Sequence, residues 1–598
     1  METTGDNMKN QSLKNSTTLA AALALFAALL MPPAHAQNYG PWSAPVNLNN
    51  IVLTDGTVCS PLVNSTDPDR NDTHPAISKD GLSLYFASTR LGGLGEYDLW
   101  VTHRDSLDTC WGQPMNLGQT VNTPAREYAP NVSPDGHWLF FHSKRTDGCG
   151  NGVVAELWAA HRPDISNDLG WEQPINLGCA IHGGVNDVKV TNPTTGLSTQ
   201  TDSAGPSFFD DGSGKLYLYF TRNSFPNDQQ GFHIHVSTCT TDIDTCNKQG
   251  LWDQGIRVDA LNSPARDTRT AIRRDGLEII LSSGRTGSLA SENLWVSTRA
   301  LTQDQNWEQP VPINCEWKLQ TPPPCPVWVP ADPAGTLATD FANSNDFDGG
   351  PALSWDGTEL YFYRVPDALS MKTACQEPTD TRCRDLYVSK RTYITNTVLS
   401  SSSNPSVFGQ SVTLAATVGS PADSAPTGTV TFSDGATSLG SGTLASGQAT
   451  FSTSSLSIGS HSITGQYGGD RISGVSSGSL TQNVEYGVCP LFDQARSVKS
   501  GATFPIKLQL CDTNGSDLSF SAIVVHATSV TAISGLSGTP DAPGNANPDN
   551  DFRFDATLGP TGGYIFNLST RGLPSGTYTL QFTAGSDPVT HSVNFGVS

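Results

Sequence analysis

Between about residue 40 and residue 392 the apolar residues fall in short runs of strand length, with hardly any helical periodicity. Five of these runs follow an Asp-Gly pair: Asp80-Gly81, Asp135-Gly136, Asp211-Gly212, Asp275-Gly276 and Asp356-Gly357. An Asp-Gly pair between apolar runs predicts a hairpin, because glycine tolerates the positive φ that a tight turn requires. Each unit continues into a further run, at 97–104, 155–162, 231–238, 292–299 and 384–391. Four units then close on a Trp-led segment, at Trp111, Trp171, Trp252 and Trp307. The last unit has none, but Trp42 opens such a segment (WSAPVNLN) ahead of the first unit. A strand there can complete the last blade and close the ring without an open edge. The pattern predicts an all-β chain that begins with a five-bladed β-propeller.

Beyond residue 392 the pattern changes. All 12 Trp lie between Trp42 and Trp355, and the remainder is rich in Ser, Thr and Gly. Short alternating strands at 411–418, 428–435, 448–455 and 460–470 predict a β-sandwich over 393–484. A second sandwich is expected over 485–598, with strands at 503–512, 563–570 and 577–584.

At the N-terminus Lys9 and Lys14 precede the apolar run 19–31 and then Ala34-His35-Ala36, which reads as a secretory signal over 1–36. The run is too short for a membrane span, and no transmembrane segment is expected in the mature chain. The residue directly after the cleavage site is Gln37 rather than a Cys that could carry a lipid, and no apolar C-terminal tail offers another anchor, so the expected location is extracellular or periplasmic. The 12 Cys all lie beyond the signal and suit disulfides in an oxidising compartment. Short spacings suggest Cys239 with Cys246, Cys315 with Cys325, Cys375 with Cys383, and Cys489 with Cys511. Acidic residues outnumber basic ones 56 to 34, a net charge of −22 that disfavours nucleic acid as a partner.

The propeller units resemble the WD40-like repeats of TolB-type periplasmic and secreted propellers, through strings such as 73–90 (THPAISKDGLSLYFASTR) and 121–145 (VNTPAREYAPNVSPDGHWLFFHSKR). Well-known members of that family have six blades, so a degenerate blade in one of the insertions 179–203 or 315–347 is the alternative to a five-bladed ring. The segment Pro426-Thr-Gly-Thr-Val-Thr-Phe432 and Tyr467-Gly-Gly-Asp470 resemble bacterial Ig-like repeats of secreted and surface proteins. Both resemblances imply architecture, and in the Ig-like modules a spacer or adhesion role, without implying a reaction.

Aligning the inner strands puts Asp72, Glu127, Ser203, Asp267 and Asp348 in register, each three residues before Pro75, Pro130, Pro206, Thr270 or Pro351. Such a ring would make the channel mouth negative. Its carboxylates are read first as acceptors for neighbouring backbone amides, and otherwise as cation ligands or as the acid and base of a glycosidase. Arg126, Arg266 and Arg269 stand beside them, either to neutralise the ring or to meet an anionic ligand. Asp67, Asp69 and Asn71 alternate as in calcium loops, as do Asn547, Asp549 and Asp551, so Ca2+ is the one cofactor considered. His233 and His235 share a strand face without a third ligand, and Gly474-Val-Ser476-Ser-Gly478 lacks the strand-to-helix setting of a nucleophile elbow. The sequence therefore favours an exported, non-enzymatic protein that takes a protein or carbohydrate ligand at the channel mouth. The alternative is a carbohydrate-active propeller using the rim carboxylates.

Overall fold

The computed structural model describes residues 38–67, 70–179, 183–186, 188–191, 198–223, 231–288, 292–302, 305–313, 347–365, 384–533, 537–538 and 547–598. The signal segment, Asp69 and the Cys315, Cys325, Cys375 and Cys383 pairings lie outside them. The chain divides into two units, Met1–Thr392 and Tyr393–Ser598.

In the first unit the Asp-Gly pairs turn as the pattern predicts. Gly81, Gly136, Gly212, Gly276 and Gly357 have φ between 67° and 77°, a region that costs glycine nothing. Around these turns stand five four-stranded antiparallel sheets. Their inner strands are Asp72–Ile77, Glu127–Val132, Ser203–Asp210, Asp267–Ile272 and Asp348–Leu353. Each inner strand packs against the next, and the last packs against the first, so the sheets stand around one axis. The second strands are Ser83–Ser88, Trp138–Ser143, Leu216–Asn223, Glu278–Ser283 and Glu359–Arg364. They are buried along nearly their whole length because each blade is covered on both faces by its neighbours. That is why they read as continuous apolar runs rather than as alternating ones. Among the described residues of the insertion at 179–203, Lys189–Thr191 pairs antiparallel with Ser198–Gln200 as a two-stranded sheet and no further four-stranded sheet is formed; the insertion at 315–347 lies outside the described residues except for Phe347.

Closure of the ring uses the N-terminal strand. Val46–Asn47 pairs antiparallel with Asp385–Lys390, Val46 opposite Val388, as the outer strand of the last blade. The side chains repeat as well. Arg104, Arg162, Arg299 and Arg391 end the third strands, and each Nε donates to the glycine carbonyl of its own blade's Asp-Gly turn at 2.6–2.8 Å. The same guanidinium groups lie 4.2–4.6 Å from the ring centroids of Trp111, Trp171, Trp307 and Trp42. Trp42 thus does in the last blade what the Trp-led segments do in the others, a turn–arginine–tryptophan contact that adds cation–π attraction to burial. Ion pairs then stitch blade to blade: Arg104 to Glu359 at 3.3 Å and Arg391 to Glu278 at 2.6 Å.

The second unit contains two sandwiches. In one, the sheet formed by Asn396–Ser401, Val412–Gly419 and Gln448–Thr453 faces a five-stranded sheet that includes Thr429–Asp434, Gly459–Tyr467 and Ser476–Glu485. Leu414, Val430, Phe432, Ile463 and Tyr467 fill the space between. In the other, a four-stranded sheet built on Thr503–Cys511 and Gly563–Ser569 covers a five-stranded one built on Val525–Ala532, Gly576–Ala584 and His591–Val597. Ile506, Leu508, Phe566, Leu580, Phe582 and Phe595 form that core. Disulfides join Cys239 to Cys246 and Cys489 to Cys511, the two short-spaced pairs among the described residues. Cys59–Cys110 and Cys149–Cys179 pair cysteines that spacing alone left unassigned. These bonds, with the Ig-like architecture, suit an extracellular or periplasmic setting. No helix among the described residues is long and apolar enough to cross a membrane.

Glu359 gives the ring an acid-sensitive joint. Burial opposes its ionisation, but Lys390 and Arg104 outweigh burial and lower its pKa from 4.5 to about 2. A depressed carboxylate pKa stabilises the fold above the unfolded value, and that contribution is lost as pH falls through the folded one. We expect Glu359→Gln to be less stable than wild type at pH 7 by on the order of 3 kcal/mol. In denaturant titrations the two curves should converge between pH 4.5 and 2; parallel curves would contradict the assignment.

Candidate functional site

The aligned carboxylates face into the blades. Asp72, Glu127, Asp267 and Asp348 are all fully buried, and each meets an arginine at or two residues past the end of its own blade's second strand: Arg90, Arg145, Arg285 and Arg364. Backbone amides complete three of them, from Ser65 to Asp72, Thr123 to Glu127 and Ser263 to Asp267. The Ser143 and Ser283 hydroxyls donate to Glu127 and Asp267. Asp348 accepts from Arg364 Nε at 2.6 Å and from Asn293 Nδ2 at 3.3 Å. Burial, only partly offset by Thr123, Arg145 and Ser143, raises the Glu127 pKa above its ordinary value. The expected negative mouth is therefore absent at these positions, because each charge is cancelled inside its blade.

Ser203 takes the carboxylate's place in the third blade. Its hydroxyl donates to the Val185 carbonyl at 3.0 Å, and Arg222 donates to the Val185 and Gln254 carbonyls, both at 2.7 Å. Burial, with Asp253 the one opposing influence, lowers the Arg222 pKa to about 10.

Two residues further along every inner strand the chain bulges. His74, Ala129, Gly205, Arg269 and Gly350 occupy equivalent places with φ between 46° and 61°, and the ladder register shifts at each. The residues that follow, Pro75, Pro130, Pro206, Thr270 and Pro351, line a cavity of about 890 Å³ on the propeller axis. His74 and Arg269 line its deep end. Lys79, Asp135, Asp242, Arg274 and Trp355 line it on the side of the Asp-Gly turns, where Lys79 Nζ lies 4.7 Å from the Trp355 ring centroid. Thr240 to Ile243 form a lip beside them, leading into the short helix Ile243–Gln249 that the Cys239–Cys246 disulfide holds.

Beneath His74 and Arg269 the axis is packed with rings. The His74 centroid is 4.2 Å from Tyr128 and 4.9 Å from Tyr363, and Tyr128 is 5.4 Å from His142. Burial, reinforced by Arg269 and other nearby cations, pushes the pKa values of His74 and His142 well below 6.5. His142 Nδ1 accepts from the Gly205 amide, as a neutral ring can. Arg269 lies 5.6 Å from the Tyr128 centroid and over Gly205, where a Cβ would overlap its guanidinium.

Of the three arginines singled out in the sequence, only Arg269 lines the cavity. Arg126 lies over Tyr97 and 3.8 Å from Glu96, and Arg266 over Phe232 and 3.6 Å from Glu292. His74, His142, Tyr128 and Tyr363 were not anticipated; repeat alignment singles out only the histidine, at a place that glycine or alanine holds in three blades. Asp67 pairs with Arg70, and the Asn71 side chain accepts from the Arg384 amide. Asp551 pairs with His526, and Asn547 bonds the Asn567 backbone. Among the described residues no group of three or more His, Cys, Asp or Glu is placed to hold a metal. His235 packs on Phe220, and burial with Arg222 lowers its pKa to about 4. Ser476 bonds Thr395 and Thr397.

This geometry predicts that Asp267→Asn acts on stability. Breaking a buried pair costs roughly 3 kcal/mol, and calorimetry should show a lower Tm. An unchanged Tm would contradict the clamp.

Residues 399–485 match the family model for the bacterial Ig-like domain (group 3). No curated protein sequence matches the chain. Among solved structures it is similar to an alpha-L-arabinofuranosidase from Lactobacillus brevis at 12% identity, over 54% of this chain and 92% of that one, with a TM-score of 0.31. It is also similar to a putative TolB from Agrobacterium tumefaciens at 15% identity, over 63% and 85%, TM-score 0.26. A third is an exo-beta-1,3-galactanase from Phanerochaete chrysosporium at 12% identity, over 92% and 94%, TM-score 0.30. At such scores none of the three bears on activity, and the chain is identified here by its architecture: an all-β protein with a propeller followed by Ig-like sandwiches, the first matching the bacterial group 3 family.

Proposed function

We propose that this is an exported binding protein whose ligand occupies the axial cavity of a TolB-type propeller, the Ig-like modules serving as spacers or adhesion elements. The observation that carries the reading is the cavity itself. It has about 890 Å³ of space, a ring-packed floor and an aromatic residue, Trp355, toward the turns, while the four aligned carboxylates are held in ion pairs inside the blades. A concave site that mixes apolar walls with charged and hydroxyl groups suits recognition of a small polar ligand or of the end of a larger one. The carbohydrate-active alternative requires two carboxylates facing the substrate in different environments. Asp72, Glu127, Asp267 and Asp348 do not line the cavity, and the carboxylates that do, Asp135, Asp210 and Asp242, each already accept a local hydrogen bond, from Ser133, Gly212 and Thr245.

The test presents the mature full-length chain with a panel of neutral and acidic oligosaccharides and short peptides, following binding by calorimetry and turnover by chromatography. We expect binding without turnover, weakened about tenfold in Trp355→Ala. Turnover that Asp72→Asn or Asp267→Asn abolishes in a folded variant would replace this reading with the hydrolase.

A further inference from the structure

The fourth blade departs from the repeat at two consecutive places, and both line the cavity. Where the other blades carry His74-Pro75, Ala129-Pro130, Gly205-Pro206 and Gly350-Pro351, the fourth carries Arg269-Thr270. The bulge itself does not ask for either residue, since alanine and glycine make it elsewhere at similar φ. Glycine would do so with less strain than arginine.

Nor does the fold satisfy the two side chains. The strand-two arginines each bond a backbone carbonyl, a carboxylate or both, as Arg145 does with Val121 and Glu127. Among the described residues the Arg269 guanidinium has no carboxylate or carbonyl hydrogen-bond acceptor; it lies against the Tyr128 ring and Gly205, with Glu292, Tyr363 and the two histidines near enough to act on it only through charge. The Thr270 hydroxyl is buried without a hydrogen-bond partner. An unmet guanidinium in an enclosed place is costly unless something arrives to meet it, and of the two groups only Arg269 is open to the cavity, the Thr270 oxygen being closed off from it. Gly205 adds to the case, for the third blade leaves out a side chain where Arg269 lies.

On the reading of the cavity as a binding site, we propose that Arg269 forms its carboxylate-recognition point, so that the ligand is a small organic acid whose body extends toward Trp355. A guanidinium presents parallel N–H donors that match the two oxygens of a carboxylate. The flanking histidines are neutral, so the floor offers one formal fork. That suits a monoanion with coplanar oxygens better than a phosphate dianion. Pro75, Pro130, Pro206 and Pro351 give the ligand's body apolar walls, and polar groups such as Lys79, Asn131 and Arg274 line the remainder of the cavity.

The repeat supplies the control substitutions. Arg269→Gly installs what the third and fifth blades carry, and Thr270→Pro installs what all four other blades carry, so both variants are expected to fold. Calorimetry at low ionic strength on the full mature chain would compare glucuronate and acetate with glucose as the uncharged probe. Wild type should bind the two carboxylates in preference to glucose. Arg269→Gly should lose about tenfold or more in glucuronate affinity while its unliganded Tm stays level or rises. Arg269→Lys, which keeps the charge and loses the fork, should fall between them. Glucuronate binding no better than glucose, or binding by Arg269→Gly equal to wild type, would overturn the proposal. A neutral ligand that depends on Trp355 but not on Arg269 would overturn it and leave the cavity as the binding site. Binding indifferent to both residues would remove the cavity reading as well.

Discussion

Each inner strand begins with a buried polar group locked to an arginine at the end of the next strand, and the propeller depends on that clamp. The arginine also reaches the connection that precedes the inner strand: Arg90 to the Val63 carbonyl, Arg145 to Val121, Arg222 to Val185 and Arg285 to Leu261. The guanidinium groups of Arg90, Arg145 and Arg285 then cover the third-strand rings of Trp100, Trp158 and Trp295. One side chain thereby fixes the first, second and third strands and the link from the previous blade. With both charges out of water, neither partner can be removed cheaply.

That constraint decides where function can sit. A carboxylate whose lone pairs are filled by an arginine, an amide and a hydroxyl has little left for a substrate. The rim acids recur because they build the blade, and recurrence leaves them outside the cavity. What remains for recognition is the bulge and the residue after it, where the backbone geometry is shared and the side chains are free to differ. Asymmetry collects there: the fourth blade supplies a cation, and the third supplies a gap at Gly205 and a disulfide-held lip.

The architecture was legible from the chain because it is written as a repeat. Asp-Gly pairs need glycine's backbone freedom, and Trp42 could be assigned to the last blade since four other Trp-led segments showed what that blade lacked. The direction in which the rim acids point was not legible. A carboxylate at the start of a strand can face the axis or the neighbouring strand, and only the partner tells which. The signal was present in the Ser-x-Arg strings at 88–90, 143–145 and 283–285, each spaced to meet an acid across the hairpin. Thr270 was visible as the odd residue among prolines, but its unpartnered hydroxyl follows from packing. The His74, Tyr128, Tyr363 and His142 cluster joins side chains from three blades and has no local signature.

The central claim is that the rim carboxylates are structural halves of an ion pair. A double-mutant cycle on Asp267 and Arg285, with Asp267→Asn, Arg285→Gln and both together, measures that coupling directly by denaturant unfolding. A coupling of about 2 kcal/mol or more is the predicted result. Additive effects with no coupling, in variants that remain folded, would contradict it and return Asp267 to the list of groups available for chemistry.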